Sequence, residues 1–524
     1  MFDSARIAAM KGMLVSSATL VAILLSLSCG ACVGNIGGAG DDVAGDDDDD
    51  PPPPPPPPPL DPNLSVQLVP AAGQTGTQVV NFAVPLPPGM ATAPDLRVAN
   101  GGTALPTYRR GLGSHGDGSL RAIQVQVELA VTGPMTLDLE IGGTGGGDRA
   151  AVDVATTLVV ADGTQGPKVW VRLPPAWMAG AGAFGAVVPR AEIAGTPLDA
   201  WGGVCDYARW DTAAFLAGQA SRDVWLFDRT TAMYRGYAVT GDAAPLASAY
   251  REAAIYRAGV TGDGAATRIG VPGAADDLKY HYTQGMALHW LLTGDDRFRE
   301  AAEDVATRAH GLWADPGYAG GADFWTERHA GFALLAYEWA AMVSDDQAAT
   351  FRGWGDQAVA AYLALQASWP TSWTDANARC FAHTADAHGE SYGYTGCSPW
   401  MSAILADALE VHAARADAAR AAEVRAGLVR LGRLIARDGR DGDGKPFYWM
   451  GLGRAGEVDD YEEHWGESAY LVAMAWHYGG RSDATLRTAA DELVTGLRER
   501  GEAGQLRSFN WQCRSAVQTP AYLK

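Results

Sequence analysis

The chain has 524 residues, 47% of them hydrophobic, which is enough for two or three domains with a sizeable core. Its formal net charge is −21, of which residues 1–60 contribute about −6 (eight Asp against Arg6 and Lys11). An acidic body of this kind excludes nucleic acid as a partner, because neutralising phosphates takes clustered Lys and Arg.

Residues 1–29 read as an export signal: Arg6 and Lys11 precede an apolar run from Met13 to Leu27, too short for a comfortable membrane span. The run ends at Ser26-Leu27-Ser28-Cys29-Gly30, which resembles a bacterial lipoprotein cleavage site with Cys29 as the lipidated residue and Cys32 as a second acceptor. The implied location is the cell envelope, lipid-anchored to a membrane or secreted. Residues 30–62 form an Asp- and Pro-rich tether, with five Asp at 46–50 and nine Pro at 51–59. Such a segment cannot build a core, and its Pro run is a polyproline II rod rising about 3.1 Å per residue.

Residues 63–165 alternate with period two in Ser65–Val69, Gln78–Val84, Ala122–Leu129 and Met135–Ile141, separated by Gly, Pro and Asp. The pattern predicts a small β-sandwich or barrel. Residues 166–200 read as a connecting segment with one strand from Lys168 to Leu173. From Trp201 to Lys524 helical signals dominate, at Ala247–Arg257, Phe298–His310, Ala349–Gln366, Ala403–Arg437 and Leu486–Arg500.

Five stretches in this half share one plan: a polar and aromatic cluster, then a small-residue apolar helix, then often a Gly-Asp stop. Asp228–Tyr234 runs on to Thr240-Gly241-Asp242, and His281–Ala287 runs on to Thr293-Gly294-Asp295, aligning without a gap. His329, Trp400 and His464-Trp465 open the other three. A repeat of this size indicates a stack or ring of helical hairpins. The expected fold is therefore α+β and multidomain, with a small β-domain followed by an α/α toroid over residues 201–524. In a toroid, equivalent helix starts ring one end and converge on one cleft.

Asn81-Phe82-Ala83-Val84-Pro85-Leu86-Pro87-Pro88-Gly89, followed by Leu96-Arg97-Val98, Pro106 and Asp117-Gly118-Ser119-Leu120-Arg121, carries a recognisable local signature. It resembles the N-terminal RIFT-type barrel of exo-rhamnogalacturonan lyases and their bacterial relatives, in which a strand ending Pro-hydrophobic-Pro-x-Gly precedes an Asp-Gly-Ser-x-Arg turn. The resemblance covers roughly residues 64–480. It implies an α/α toroid after the barrel and a polysaccharide lyase activity.

Four Cys follow the signal: Cys205, Cys380, Cys397 and Cys513. An even number in an exported chain predicts two disulfides, with Cys380–Cys397 closing a short loop and Cys205–Cys513 tying the ends of the helical half. Cys380-x-x-His383 with His388 offers a competing zinc set. Asp438–Gly444 brings calcium into consideration as a cofactor, although its spacing is wrong and position twelve lacks Glu, so a solvated turn is the plainer reading.

No nucleophile elbow, phosphate-binding loop or His-Glu-x-x-His motif occurs. The candidate chemistry lies in the helix-start clusters. β-Elimination from a uronate polymer needs a cation on the carboxylate, a base for the C5 proton and an acid for the leaving oxygen. Arg328 or Lys279 suits the first role, His281, His329 or Tyr282 the second, and Tyr392, Tyr394 or His464 the third. Tyr280, Glu327, His388, Glu390, Trp400, Trp465 and Glu467 supply the flat aromatics and hydrogen-bonding groups that sugars require. Two other readings stand beside the lyase. A glycoside hydrolase would use carboxylates drawn from Glu327, Glu390, Glu463 and Glu467, and a glycan-binding lipoprotein would use none.

Overall fold

A computed structural model describes residues 60–315, 326–458, 464–501 and 504–524. The export signal, Cys29, most of the tether, and Glu463 lie outside the described residues. Pro56–Lys524 forms one compact unit with a mixed, helix-rich α/β fold.

The N-terminal strands are Asn63–Pro70 (β1), Gly76–Pro85 (β2), Leu96–Asn100 (β3), Thr103–Ala104 (β4), Thr107–Ser114 (β5), Leu120–Val131 (β6), Met135–Ile141 (β7) and Val169–Arg172 (β8). They make two antiparallel sheets, ordered β4-β3-β7-β1-β8 and β2-β6-β5. Period-two alternation explains the first sheet: in β1, Leu64, Val66 and Leu68 are buried while the residues between them face solvent. In the second sheet, β2 is buried on both faces from Val80 to Pro85, because one face meets the other sheet and the other meets helices. The segment read as a connection contributes β8, which pairs with β1 and so belongs to the sheet.

The helices are Pro175–Ala181 (α1), Arg190–Ile193 (α2), Ala200–Val204 (α3), Thr212–Gly218 (α4), Arg229–Thr240 (α5), Ala243–Gly259 (α6), Thr283–Thr293 (α7), Asp296–Leu312 (α8), Glu327–Val343 (α9), Ala348–Ser368 (α10), Pro399–Ala413 (α11), Ala418–Asp438 (α12), Trp465–Tyr478 (α13), Ala484–Arg500 (α14), Leu506–Arg514 (α15) and Thr519–Leu523 (α16). The expected single helical stretch Ala403–Arg437 is two helices. The chain breaks after Ala413, and the Asp417 carboxylate caps α12 by accepting from the Arg420 amide.

Helices α5, α7, α9, α11 and α13 are consecutive neighbours, and each also packs against the helix that follows it. Helix α15 packs on α5 and α16 on α13. The two sets differ in pattern for a physical reason. Every residue of α7 is buried, because neighbours surround it. Helix α8 has one buried stripe, Phe298, Ala301, Ala302, Val305, Ala306 and Ala309, and a charged outer face. Small residues let the inner helices close up. A Cβ at Gly331 of α9 would lie 2.8 Å from the Leu405 backbone nitrogen of α11.

The repeated Thr-Gly-Asp stops work as left-handed glycine caps, at Gly241 (φ 71°) and Gly294 (φ 67°). They also hold the β-module. The Gly294 carbonyl accepts from Arg110 Nη2 at 2.6 Å, and the Gly241 carbonyl accepts from Arg172. Asn81 and Gln124 donate to the Thr293 carbonyl at 2.7 and 3.2 Å. Both arginines face helix C-termini, where a cation is favoured. The sheets therefore dock on the C-terminal ends of α5 and α7, the ends opposite the helix starts.

Both predicted disulfides form, Cys205–Cys513 and Cys380–Cys397. Cys380 is thereby removed from the zinc set.

Candidate functional site at the helix starts

Three groups of side chains gather where α7, α9, α11 and α13 begin. Glu327, Arg328 and His329 open α9 and send one side chain into each.

His329 enters a polar knot. Its Nε2 lies 3.0 Å from Asp277 Oδ1 and its Nδ1 2.6 Å from Thr326 Oγ1. Lys279 Nζ pairs with the other Asp277 oxygen at 2.8 Å. His281 shares the knot. Its Nδ1 is 2.9 Å from the Asp277 carbonyl, and its Nε2 is 3.3 Å from Asp276, which also binds Arg308. In both histidines each ring nitrogen already faces a partner, so neither is placed to take a substrate proton. Burial outweighs the Asp277 hydrogen bond and pushes His329 down to about 4. A histidine lowered from its ordinary 6.5 contributes stability that is complete above about pH 6.5 and is lost as pH falls through 4. Denaturant titrations between pH 7 and pH 4 should show that loss, and His329→Gln should flatten it.

Glu327 enters a second group and is locked there. Its Oε2 lies 2.6 Å from His383 Nε2, and its Oε1 accepts from the Ser398 amide at 2.8 Å and from Ser402 Oγ at 3.3 Å. It is fully buried, which corrects its assignment as a substrate contact. The adjoining loop carries Tyr392 and Tyr394, both half-buried beside Trp449 at 6.2 Å between ring centroids. Arg454 stacks on Tyr394 at 3.7 Å, and burial together with Glu457 pushes the Tyr394 phenol up to about 12. Glu390 is half-buried on the same loop. The side chain of His388 lies outside the described residues.

Arg328 enters the third group, an aromatic nest around Trp400. Its Cζ lies 5.8 Å from the Trp400 ring centroid. His464 stacks on the same indole at 5.4 Å and 18°, with Trp511 at 4.8 Å and Tyr448 at 5.9 Å from Trp400. Arg328 makes no ion pair among the described residues, its Nε is buried without a hydrogen bond, and burial lowers its pKa. Among the described residues His464 Nε2 and both Glu467 carboxylate oxygens also make no hydrogen bond, while His464 Nδ1 lies 3.8 Å from Glu467 Oε1. Glu467 is 1% exposed, so an acid without a hydrogen bond sits behind the imidazole.

Three other assignments change. Tyr282 is buried in the core and its hydroxyl donates to the Trp225 carbonyl at 2.8 Å, so it is not placed to take a substrate proton. Tyr280 is 3% exposed beneath Lys279. Trp465 points into the seam with α14, where a Cβ on Gly496 would meet its ring and Arg500 covers it.

Sequence reasoning missed Asp276, Asp277, Tyr448, Trp449 and Trp511. The Asp pair stands two residues before Lys279, and Phe447-Tyr448-Trp449 is an aromatic run between helices, so both were visible as composition. Trp511 was not, because it belongs to α15, outside the repeat. Of metal sites, the Asp438–Gly444 stretch is a closed turn. Asp441 Oδ1 accepts from the Asp443 and Lys445 amides, and Asp438 pairs with Arg437. Among the described residues the grouped metal-type ligands are Glu303, Asp345 and Asp346, and Arg299 already pairs with Asp345.

In comparisons with protein-family models, curated proteins and solved structures, nothing matches this chain.

Proposed function

We propose that the protein is a surface-anchored polysaccharide lyase that cleaves a uronate-containing polymer at the helix-start end. In this reading the helical half is an α/α toroid, the two sheets are a RIFT-type barrel, and Cys29 carries the lipid anchor. One observation supports the chemistry above all: Arg328 and His464 meet on one indole, Trp400, with Glu467 buried behind the imidazole. A desolvated guanidinium that pairs with no carboxylate among the described residues suits a uronate carboxylate, which it would hold in paired hydrogen bonds. Neutralising that carboxylate acidifies the proton at C5. His464 Nε2 takes it, and Glu467 stabilises the imidazolium that forms. The C4–O bond then breaks with its electron pair leaving on oxygen, the C4–C5 double bond forms, and a proton is delivered to the leaving oxygen. Tyr448, at 6.0 Å between its ring and that of His464, is a phenol placed for that delivery. His464 is 2% exposed, so substrate reaches it only after the half-buried Arg328, Tyr448 and Trp511 give way.

Incubation with pectic, alginate and glycosaminoglycan polymers tests the reading. New ultraviolet absorbance from conjugated double bonds is expected on one acidic polymer. New reducing ends without double bonds would mark a hydrolase, and saturable binding without either product would mark a glycan-binding protein.

A further inference from the structure

A cavity of about 700 Å³ lies at the opposite end of the helices, between the β-module and the C-terminal parts of α7, α9 and α11. That volume is in the range of small-molecule sites. Its walls are mostly apolar: Leu86 from the β-module, and Leu291, Trp339, Met342 and Val411 from the helices. Small residues between Ala179 and Ala186 form another part of the wall, and His115, Asp117 and Arg121 of the β-module add polar groups to it. A Cβ at Gly185 would fall 2.1 Å from Gln518 Oε1, so the chain lies flush against the buried groups beneath it.

The polar groups of the cavity fall into two kinds. Most are already matched. Asp407 is held by Arg235 and Arg514, Glu338 by Arg415 and His412, and Glu410 by the hydroxyls of Tyr478 and Tyr522 at 2.7 and 2.9 Å. Two are not. Arg121 gives its Nε to the Ser114 carbonyl and makes no ion pair among the described residues. Burial and the charge of Arg352 lower it to about 10, outweighing the Asp117 carboxylate on the same wall, which forms no ion pair with it. Trp339 is 4% exposed, and its buried indole N–H makes no hydrogen bond among the described residues. A ligand that completes this cavity brings one anion and otherwise little polarity. A hydroxyl-rich sugar would find its acceptors already spent on internal pairs.

We infer that this cavity binds a small amphipathic monocarboxylate, an apolar chain or ring bearing one carboxylate, with Arg121 on the acid and Trp339 against the apolar body. The site is separate from the helix-start end and does not depend on the lyase reading.

Titration calorimetry of the full chain with octanoate tests it. Saturable one-to-one binding is expected, with octanamide and galacturonate each weaker by roughly tenfold or more, since a charge-assisted contact is lost in one case and the apolar body in the other. Arg121→Gln should weaken octanoate roughly tenfold at an unchanged melting temperature, and Trp339→Phe roughly threefold. Ala414→Trp, at an exposed position on the lining, should block binding. Absence of saturable heat with octanoate overturns the inference, as does equal affinity for octanamide or tighter binding of galacturonate. Should Arg121→Gln fail to fold, the octanamide and Ala414→Trp arms decide.

Discussion

Arg328→Gln is expected to lower turnover on the cleaved polymer by about 10²–10³, the usual cost of removing one preorganised charge from the transition state. His464→Ala should cost a similar or larger factor, about 10²–10⁴. The two changes should separate in their kinetics. Gln at 328 can still donate one hydrogen bond but cannot neutralise a carboxylate, so KM should rise as kcat falls. Ala at 464 removes the base alone, so kcat should fall with KM little changed. Glu467→Gln keeps the shape behind His464 and removes the charge, so it should lower kcat. Melting temperatures close to the parent are expected for Arg328→Gln, whose side chain is only half-buried. Full activity in Arg328→Gln or His464→Ala, with the fold intact, would dismiss this end as the catalytic site.

The largest stability effect is expected at Asp407. Its carboxylate sits at the centre of the helical body, 2.7 and 2.8 Å from Arg235 and 2.9 Å from Arg514. Gln518 donates to it at 3.2 Å, and all these side chains are buried. Asp407→Asn keeps the volume and strands two guanidinium groups, a loss of about 3–5 kcal/mol by the usual cost of breaking a buried charge group. Burial alone would raise the Asp407 pKa, but the two arginines outweigh it and hold it at about 2. A carboxylate depressed in this way contributes stability above its unfolded value near 4, and that stability is lost as pH falls through 2. Chemical denaturation should show Asp407→Asn far less stable than the parent at pH 7, with the gap narrowing below pH 4. An equal midpoint at pH 7 would mean that the arginines find other partners.

Much of the arrangement was legible because the repeat has a physical basis. An inner helix surrounded by neighbours must be apolar on every face, which is why Met286-Ala287-Leu288 and Phe332-Ala333-Leu334-Leu335 stood out. Outer helices such as α8 and α12 were readable from one buried stripe each. The alternation of β1 and β7 was plain for the same kind of reason. What sequence could not show is which polar group at a helix start faces a partner and which faces an opening. Glu327, Arg328 and His329 are consecutive and chemically similar as candidates. A helix turns about 100° per residue, so they enter three different surroundings: Glu327 meets His383, His329 meets Asp277, and Arg328 meets Trp400. The partners are 52 to 72 positions away, and nothing local to the triplet names them. Tyr282 and Trp465 misled for a related reason, since an aromatic at a helix start serves equally well as core.

The Thr-Gly-Asp stops also bear on the order in which the protein is made. The β-module leaves the ribosome long before its docking points exist. The acceptor for Asn81, the Thr293 carbonyl, is encoded 212 residues later. At 5–20 residues per second that interval is on the order of 10–40 s. During it Asn81, Gln124 and Arg110 have no helix end to bind. Because these groups are amides and a guanidinium, water satisfies them in the interim, and the sheets can wait without depending on an apolar patch for attachment. When α5 and α7 close their last turns, the free carbonyls at Gly241 and Gly294 replace that water, so the join between the halves is made only after both inner helices are complete.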